Sequence, residues 1–168
     1  MIRIAITGPE SSGKTTLCKA LSEYYKVKYI PEYAREYLEN TNGKYQKSDL
    51  DEIAKGQLKG INDSANSIVI SDSDFSVMEI WSEYKYGIVS ELIQELVIKD
   101  LFDLHILCKP DIPWEEDPLR ENSDNRDLLF NLYQRSLTKH NKHFITVSGS
   151  HKDRLEKSLN NINVLLKI

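Results

Sequence analysis

The stretch Gly8-Pro9-Glu10-Ser11-Ser12-Gly13-Lys14-Thr15 decides the fold. It satisfies the spacing G-x-x-x-x-G-K-[ST], and its flanks supply the context that this spacing requires. Ile2-Arg3-Ile4-Ala5-Ile6-Thr7 before it is short, β-branched and mostly apolar, as a buried parallel strand is. Thr16 opens the run after it, in which Leu17, Leu21 and Tyr24 recur at helical spacing. Glycines let successive backbone N–H groups turn onto a phosphate, and the helix N-terminus adds partial positive charge there. Lys14 is then expected on the β- and γ-phosphates and the Thr15 hydroxyl on Mg²⁺, with Gly8, Glu10, Ser11, Ser12, Gly13 and Thr16 completing an ATP site. At average composition the four fixed positions coincide in roughly 0.5% of chains this long, so chance is a poor explanation.

Composition narrows the partners. The 168 residues suit one domain with a substantial core. Lys plus Arg number 22 against 26 Asp plus Glu, a net charge of −4 that argues against a basic nucleic-acid-binding face. No apolar run reaches membrane-spanning length, and a cleaved leader would remove the first strand, so the expected location is cytoplasmic. Cys18 and Cys108 form no metal-ligand spacing, and His140 with His143 lacks a third ligand.

Apolar β-like runs at 2–7, 27–30, 67–72, 101–108 and 143–147 alternate with helical patterns at 14–25, 33–39, 48–62, 74–84, 88–99, 126–141 and 150–166. The alternation predicts an α/β fold: three α/β/α layers around a mostly parallel five-stranded sheet, in a single domain over residues 1–168. Ser48 is the expected cap of the third helix. Leu155, Leu159, Ile162 and Leu166 give the last helix a core face. Residues 109–124 carry three prolines and six acidic side chains, which excludes regular structure over most of the stretch. A loop this long reads either as a surface insertion or as a lid, about 110–125. Arg120 and Arg126 favour the lid, because closure over a triphosphate calls for cations.

Two strand ends carry the remaining chemistry. Ser67-Ile68-Val69-Ile70-Ser71-Asp72 is an apolar strand ending in a carboxylate, and Asp72 is expected to hold Mg²⁺ directly or through water. Asp74 reads either as a helix N-cap or as a substrate contact and base. Tyr29-Ile30-Pro31-Glu32 brings Glu32 to the sheet edge, where a carboxylate suits the proton of an attacking hydroxyl. Arg35 one turn later orients Glu32 or the substrate, although alone the two read as an ordinary i,i+3 surface pair. Gln57 is a further candidate for the cleft. The guanine-reading N-K-x-D is missing, since Asn141-Lys142 continues as His143-Phe144. These parts describe a small kinase of the nucleoside or nucleotide kinase type.

With those residues in hand, the chain resembles the nicotinamide riboside kinase module of the NadR-type (AAA_28) P-loop family. The resemblance rests on Gly8-x-Glu10-Ser11-Ser12-Gly13-Lys14-Thr15-Thr16, Glu32-Tyr33-Ala34-Arg35-Glu36-Tyr37, Ile53-Ala54-x-Gly56-Gln57, Asp72-Ser73-Asp74-Phe75, Phe102-Asp103-Leu104 and Pro113-Trp114-x-x-Asp117-x-Leu119-Arg120. It implies ATP- and Mg²⁺-dependent phosphorylation of the 5′-hydroxyl of nicotinamide riboside. Acidic and aromatic residues suit that pyridinium cation, with Tyr33, Tyr37 and Trp114 available for stacking or, equally, for packing in the core. Two other readings stay open: a kinase for another nucleoside or nucleotide, and a nucleotide-dependent regulatory module with little turnover.

Overall fold

The computed structural model describes residues 1–120 and 122–167; Glu121, one of the six acidic residues in the expected lid, lies outside the described residues. The elements run β1 (Ile2–Thr7), α1 (Lys14–Tyr25), α2 (Tyr33–Asn40), α3 (Lys47–Asn62), β2 (Ile68–Asp72), α4 (Phe75–Tyr86), α5 (Glu91–Lys99), β3 (Leu104–Cys108), α6 (Arg126–Lys139), β4 (Phe144–Val147) and α7 (His151–Leu166). Among the described residues the sheet has the order β2-β1-β3-β4 and every pairing is parallel.

The strand period of two divides the core. Ile4 and Ile6 of β1 face one side with Leu17, Cys18 and Leu21 of α1 and Ile162 of α7. Ala5 faces the other with Ile53, Met78, Ile93 and Leu137 from α3, α4, α5 and α6. Helices on both faces of a parallel sheet make the three layers, and Ile162 with Leu155, Leu159 and Leu166 packs α7 as its spacing predicts. Because all strands run the same way, their C-terminal ends bring Gly8, Asp72 and Cys108 to one edge, where the open-sheet crevice lies.

Three expectations are corrected. Among the described residues the sheet has four strands, not five: within 27–30 only Ile30 bridges, to Ser71, with its N–H 2.7 Å from the Ile70 carbonyl. Lys26 is spent in a left-handed turn and Pro31 offers no N–H, so the ladder stops after one rung. Ser48 lies inside α3; the cap is Gln46, whose N–H donates to Asp49 Oδ2 at 2.7 Å. The strand expected from Leu101 begins at Leu104, since Asp100 turns the chain at φ 40° and Asp103 Oδ2 accepts from the Arg3 N–H at 2.8 Å. No described helix is long and apolar enough to cross a membrane.

Candidate active site

Residues 8–13 wrap the start of α1. Gly8 has φ 133°, and a Cβ there would stand 2.7 Å from the Cys108 carbonyl oxygen, so only glycine lets the loop lie against β3. Gly13 (φ 83°) precedes Lys14 with no side-chain cap, which leaves the first α1 amides to face the crevice. Lys14 Nζ folds back over the loop and donates to the Gly8 and Pro9 carbonyls, both at 2.9 Å.

Thr15 Oγ1 donates to Asp72 Oδ2 at 2.6 Å, joining α1 to the end of β2. Asp72 is 2% exposed. Burial first, then the nearby Glu32 carboxylate, raises its pKa to about 6 against the opposing pull of Lys14 and the Thr15 hydroxyl. Its Oδ1 is buried with no partner among the described residues. An unpartnered carboxylate oxygen next to a hydroxyl is a donor set that fits a hard, oxygen-preferring cation, so Thr15 and Asp72 suit Mg²⁺.

Glu32 occupies the N-cap position of α2, and its Oε1 accepts from Ser73 Oγ at 3.1 Å. It lines a hollow of about 240 Å³ together with the phosphate loop, Arg35, Trp81 and Arg120. A second hollow of about 190 Å³ adjoins the first, and both are lined by Glu10, Leu38, Trp81 and Leu119. Its aromatic wall is the Tyr45–Trp81 stack, with centroids 5.9 Å apart and planes at 27°. Lys85 Nζ stands 3.9 Å from the Tyr45 centroid.

Residues 110–120 and 122–125 form no helix or strand and lie across the phosphate loop. The Glu115 N–H donates to Ser11 Oγ at 2.9 Å and the Asn122 N–H to Glu10 Oε2 at 3.0 Å. Arg35 Nη2 holds Asp117 Oδ2 at 2.6 Å, tying α2 to this segment. That hydrogen bond raises the Arg35 pKa; the Leu119 N–H and Arg35 hold the Asp117 carboxyl below the usual range.

Several sequence-derived residues fall elsewhere than expected. Asp74 is 1% exposed and does not line either hollow. Although it stands at the N-cap of α4, it makes no capping bond: Oδ1 accepts from Thr7 Oγ1 at 2.9 Å and Oδ2 from Ser76 Oγ at 3.0 Å. Gln57 is fully buried, accepting from the Tyr33 N–H at 2.8 Å and donating to Ser71 Oγ at 3.0 Å, so it fastens α2 to β2. The Tyr33 ring lies on Gly56, and Tyr37 donates its hydroxyl to Asp49 Oδ1 at 3.0 Å. The guanidinium groups of Arg120 and Arg126 both stand over the Trp114 ring, at 5.9 and 5.7 Å from its centroid. Arg126 reaches beneath the loop, donating to the Ser11 and Ile112 carbonyls at 3.1 and 3.0 Å. Arg120 alone of the two lines the hollow.

Other residues escaped the sequence reading. Trp81 follows Val77 by four on α4, and that i,i+4 spacing toward the crevice was a usable signal. Arg154 of α7 had none: its buried guanidinium donates to the carbonyls of Ser12 at 2.9 Å, Gly149 at 2.9 Å and Lys109 at 3.1 Å and pairs with Asp111. It supports the phosphate loop from 142 residues further along the chain.

A parallel sheet of this order, a glycine loop leading into α1 and an acidic strand end beside it define a P-loop fold of the nucleoside-kinase type. The chain belongs to the AAA domain family AAA_28, whose sequence profile matches residues 3–154. It is 32% identical over 159 residues to the trifunctional NAD biosynthesis/regulator protein NadR of Salmonella typhimurium, covering 89% of this chain and 39% of that protein, and equally to NadR of Escherichia coli K12. The chain thus spans about two fifths of the length of these curated relatives. Among solved structures, a NadR protein in complex with NR superposes with a TM-score of 0.81 at 19% identity, over 99% of this chain and 52% of that one. Deoxyadenosine kinase from M. mycoides superposes with a TM-score of 0.69 at 16% identity, over 97% of this chain and all of that one.

Proposed function

We propose that this domain transfers the γ-phosphoryl group of ATP to the 5′-hydroxyl of nicotinamide riboside, yielding nicotinamide mononucleotide. The observation that carries this reading is the succession, along two adjoining hollows, of the phosphate loop, the Glu32 carboxylate and the Tyr45–Trp81 rings. A kinase needs a phosphate cradle, a proton acceptor and a holder for the acceptor molecule in that sequence. The 32% identity to NadR proteins supports the choice of acceptor, as does the fold shared with a NadR protein that binds NR.

In this mechanism the loop N–H groups and the α1 N-terminus hold the phosphates, and Lys14 exchanges its two carbonyl partners for phosphate oxygens. Thr15 and Asp72 hold Mg²⁺, which when bound neutralises phosphoryl charge. Glu32 accepts the proton of the ribose hydroxyl as the new O–P bond forms and the bond to the β-phosphate oxygen breaks, and Ser73 steadies that carboxylate. Arg120 offsets charge on the transferring group, while Arg126 acts one step away by holding Ser11. The aromatic pair and Glu10 draw the cationic pyridinium.

A neutral-ring nucleoside is the second reading, favoured by one observation: Lys85 already presents a cation to the Tyr45 face. ADP release with Mg²⁺-ATP separates the two, using nicotinamide riboside, uridine, cytidine, adenosine, guanosine, thymidine and nicotinamide mononucleotide. Turnover with nicotinamide riboside above the rest supports the first reading, and turnover with a neutral nucleoside alone replaces it. ATP binding without transfer to any acceptor contradicts both and leaves a regulatory module.

A further inference from the structure

We propose that His105, remote from the phosphate loop in sequence and absent from the mechanism above, is a positioning residue that holds the Asp72-Ser73-Asp74 turn in its working shape. The kinetic part of this inference rests on the kinase reading; the metal-binding part does not.

The turn sends three consecutive side chains to three partners. Asp72 meets Thr15, Ser73 Oγ donates to Glu32, and Asp74 points into the protein. Ser73 adopts φ 77°, a left-handed conformation that a non-glycine residue keeps only where its surroundings enforce it. Some of that enforcement is local: the Ser73 N–H donates to the Ile6 carbonyl at 2.9 Å and its carbonyl accepts from Ser71 Oγ at 2.8 Å. The rest comes through Asp74, a buried carboxylate that needs a fixed polar partner besides the Thr7 and Ser76 hydroxyls so deep in the protein.

His105 supplies it from two strands away. It pairs with Ala5 in register, so the ring lies on the α4 side of the sheet and reaches past β1, with Nδ1 2.9 Å from Asp74 Oδ2. Its Nε2 is 3.0 Å from Asp100 Oδ1, which also meets Lys142 Nζ at 3.1 Å. Two carboxylates, the imidazole and the Lys142 ammonium therefore alternate from the turn to the α5–β3 loop. Phe102 packs edge-on against the imidazole at 5.4 Å and limits its movement. The ring is hydrogen-bonded through Nε2, while Nδ1 lies against Asp74 without a hydrogen bond of its own, so His105 confines Asp74 from one side, and Asp74 holds the turn that presents Asp72 and steadies Glu32. His105 stands one contact further out than a group bonded directly to a metal ligand, whose loss costs roughly 10–100-fold in metal affinity or activity.

The test compares the wild-type chain, His105→Gln and His105→Gln/Asp74→Asn, in which no buried charge is stranded. One arm reads kcat and KM with Mg²⁺-ATP and nicotinamide riboside per folded molecule, well below every melting temperature. The other reads, by calorimetry without acceptor, the Mg²⁺ concentration that half-saturates ATP binding. In His105→Gln we expect kcat to fall roughly 10-fold or more with KM for ATP nearly unchanged, and the Mg²⁺ requirement to rise by a similar factor. The double variant recovers part of each loss. Unchanged kcat and Mg²⁺ requirement in His105→Gln, even with a lowered melting temperature, overturn the inference and leave a core histidine. A loss that the double variant does not recover overturns it as well. If the wild-type chain does not turn over nicotinamide riboside, the kinase reading fails and the Mg²⁺ arm still decides this one.

Discussion

The Thr15 hydroxyl and the Asp72 carboxylate meet at 2.6 Å, and they do so because α1 starts where β1 ends while β2 lies beside β1 in register from Ile2 to Ile6. The two residues of the proposed cation site are thus brought together by backbone pairing, before any ligand is considered. Replacing Asp72 with Asn keeps the shape and the Thr15 contact but removes the charge. We expect Asp72→Asn to lower kcat roughly 100-fold, to weaken ATP binding in the presence of Mg²⁺ and to leave metal-free ATP binding nearly unchanged. Calorimetry with and without Mg²⁺ checks this; equal loss in both would mean that Asp72 serves the loop and not the cation.

Trp81 lines both hollows and stacks on Tyr45. Trp81→Ala removes one wall of the ring site and leaves the phosphate loop untouched. KM for the acceptor should rise by roughly 10-fold or more while KM for ATP stays within about 2-fold, from the loss of about 1–3 kcal/mol of ring contact. Steady-state kinetics in both substrates reads this out, and an equal rise in both KM values would remove Trp81 from the acceptor site.

Gly56 lies inside α3 under the Tyr33 ring, and a Cβ there would stand 2.1 Å from Tyr33 Cε1. Gly56→Ala should destabilise the chain by about 1–3 kcal/mol through overpacking, despite the better helix propensity of alanine. In a Tyr33→Ala background the same change should be neutral or stabilising. Urea unfolding of the four proteins measures the coupling, and additive effects would contradict it.

Stability should also carry a mark of His105. Burial pulls its pKa down, but Asp100 and Asp74 outweigh burial and hold it at about 8, above its ordinary 6.5. A histidine charged more readily in the folded chain contributes stability that is fully present below about pH 6.5 and is lost as pH rises through about 8. The contribution is about 2 kcal/mol. Between about pH 6 and pH 9 the wild-type chain should therefore lose about 2 kcal/mol more than His105→Gln in urea unfolding. Parallel pH dependence in the two proteins would contradict the charge assignment.

Much of the fold was legible because strand and helix periods, and one loop motif, are local properties. Residues 8–15, the strand end at Asp72 and the glutamate after Pro31 all fell where their neighbours in sequence placed them. What was not legible depends on pieces brought together by folding. Asp74 could be read as a base or a cap from its neighbours, yet its fate is set by Thr7 and by His105 on another strand. Tyr33, Tyr37 and Trp114 read equally as stacking residues or as packing, and sequence could not decide between them; their partners in the structure are Gly56, Asp49 and the guanidinium groups of Arg120 and Arg126. The aromatic wall that does line the cleft combines Tyr45, from the α2–α3 loop, with Trp81 of α4, a pairing with no sequence spacing to reveal it. The fifth strand expected at 27–30 ends after the Ile30–Ser71 bridge because Pro31 offers no N–H to extend it.

The most direct measurement incubates the purified chain with Mg²⁺-ATP and nicotinamide riboside, identifies the product by mass and phosphorus NMR, and uses Lys14→Ala as the blank. The account predicts stoichiometric ADP and nicotinamide mononucleotide phosphorylated at the 5′ position, with turnover abolished in a folded Lys14→Ala protein. Absence of that product from a chain that still binds ATP, or comparable turnover by Lys14→Ala, would contradict it.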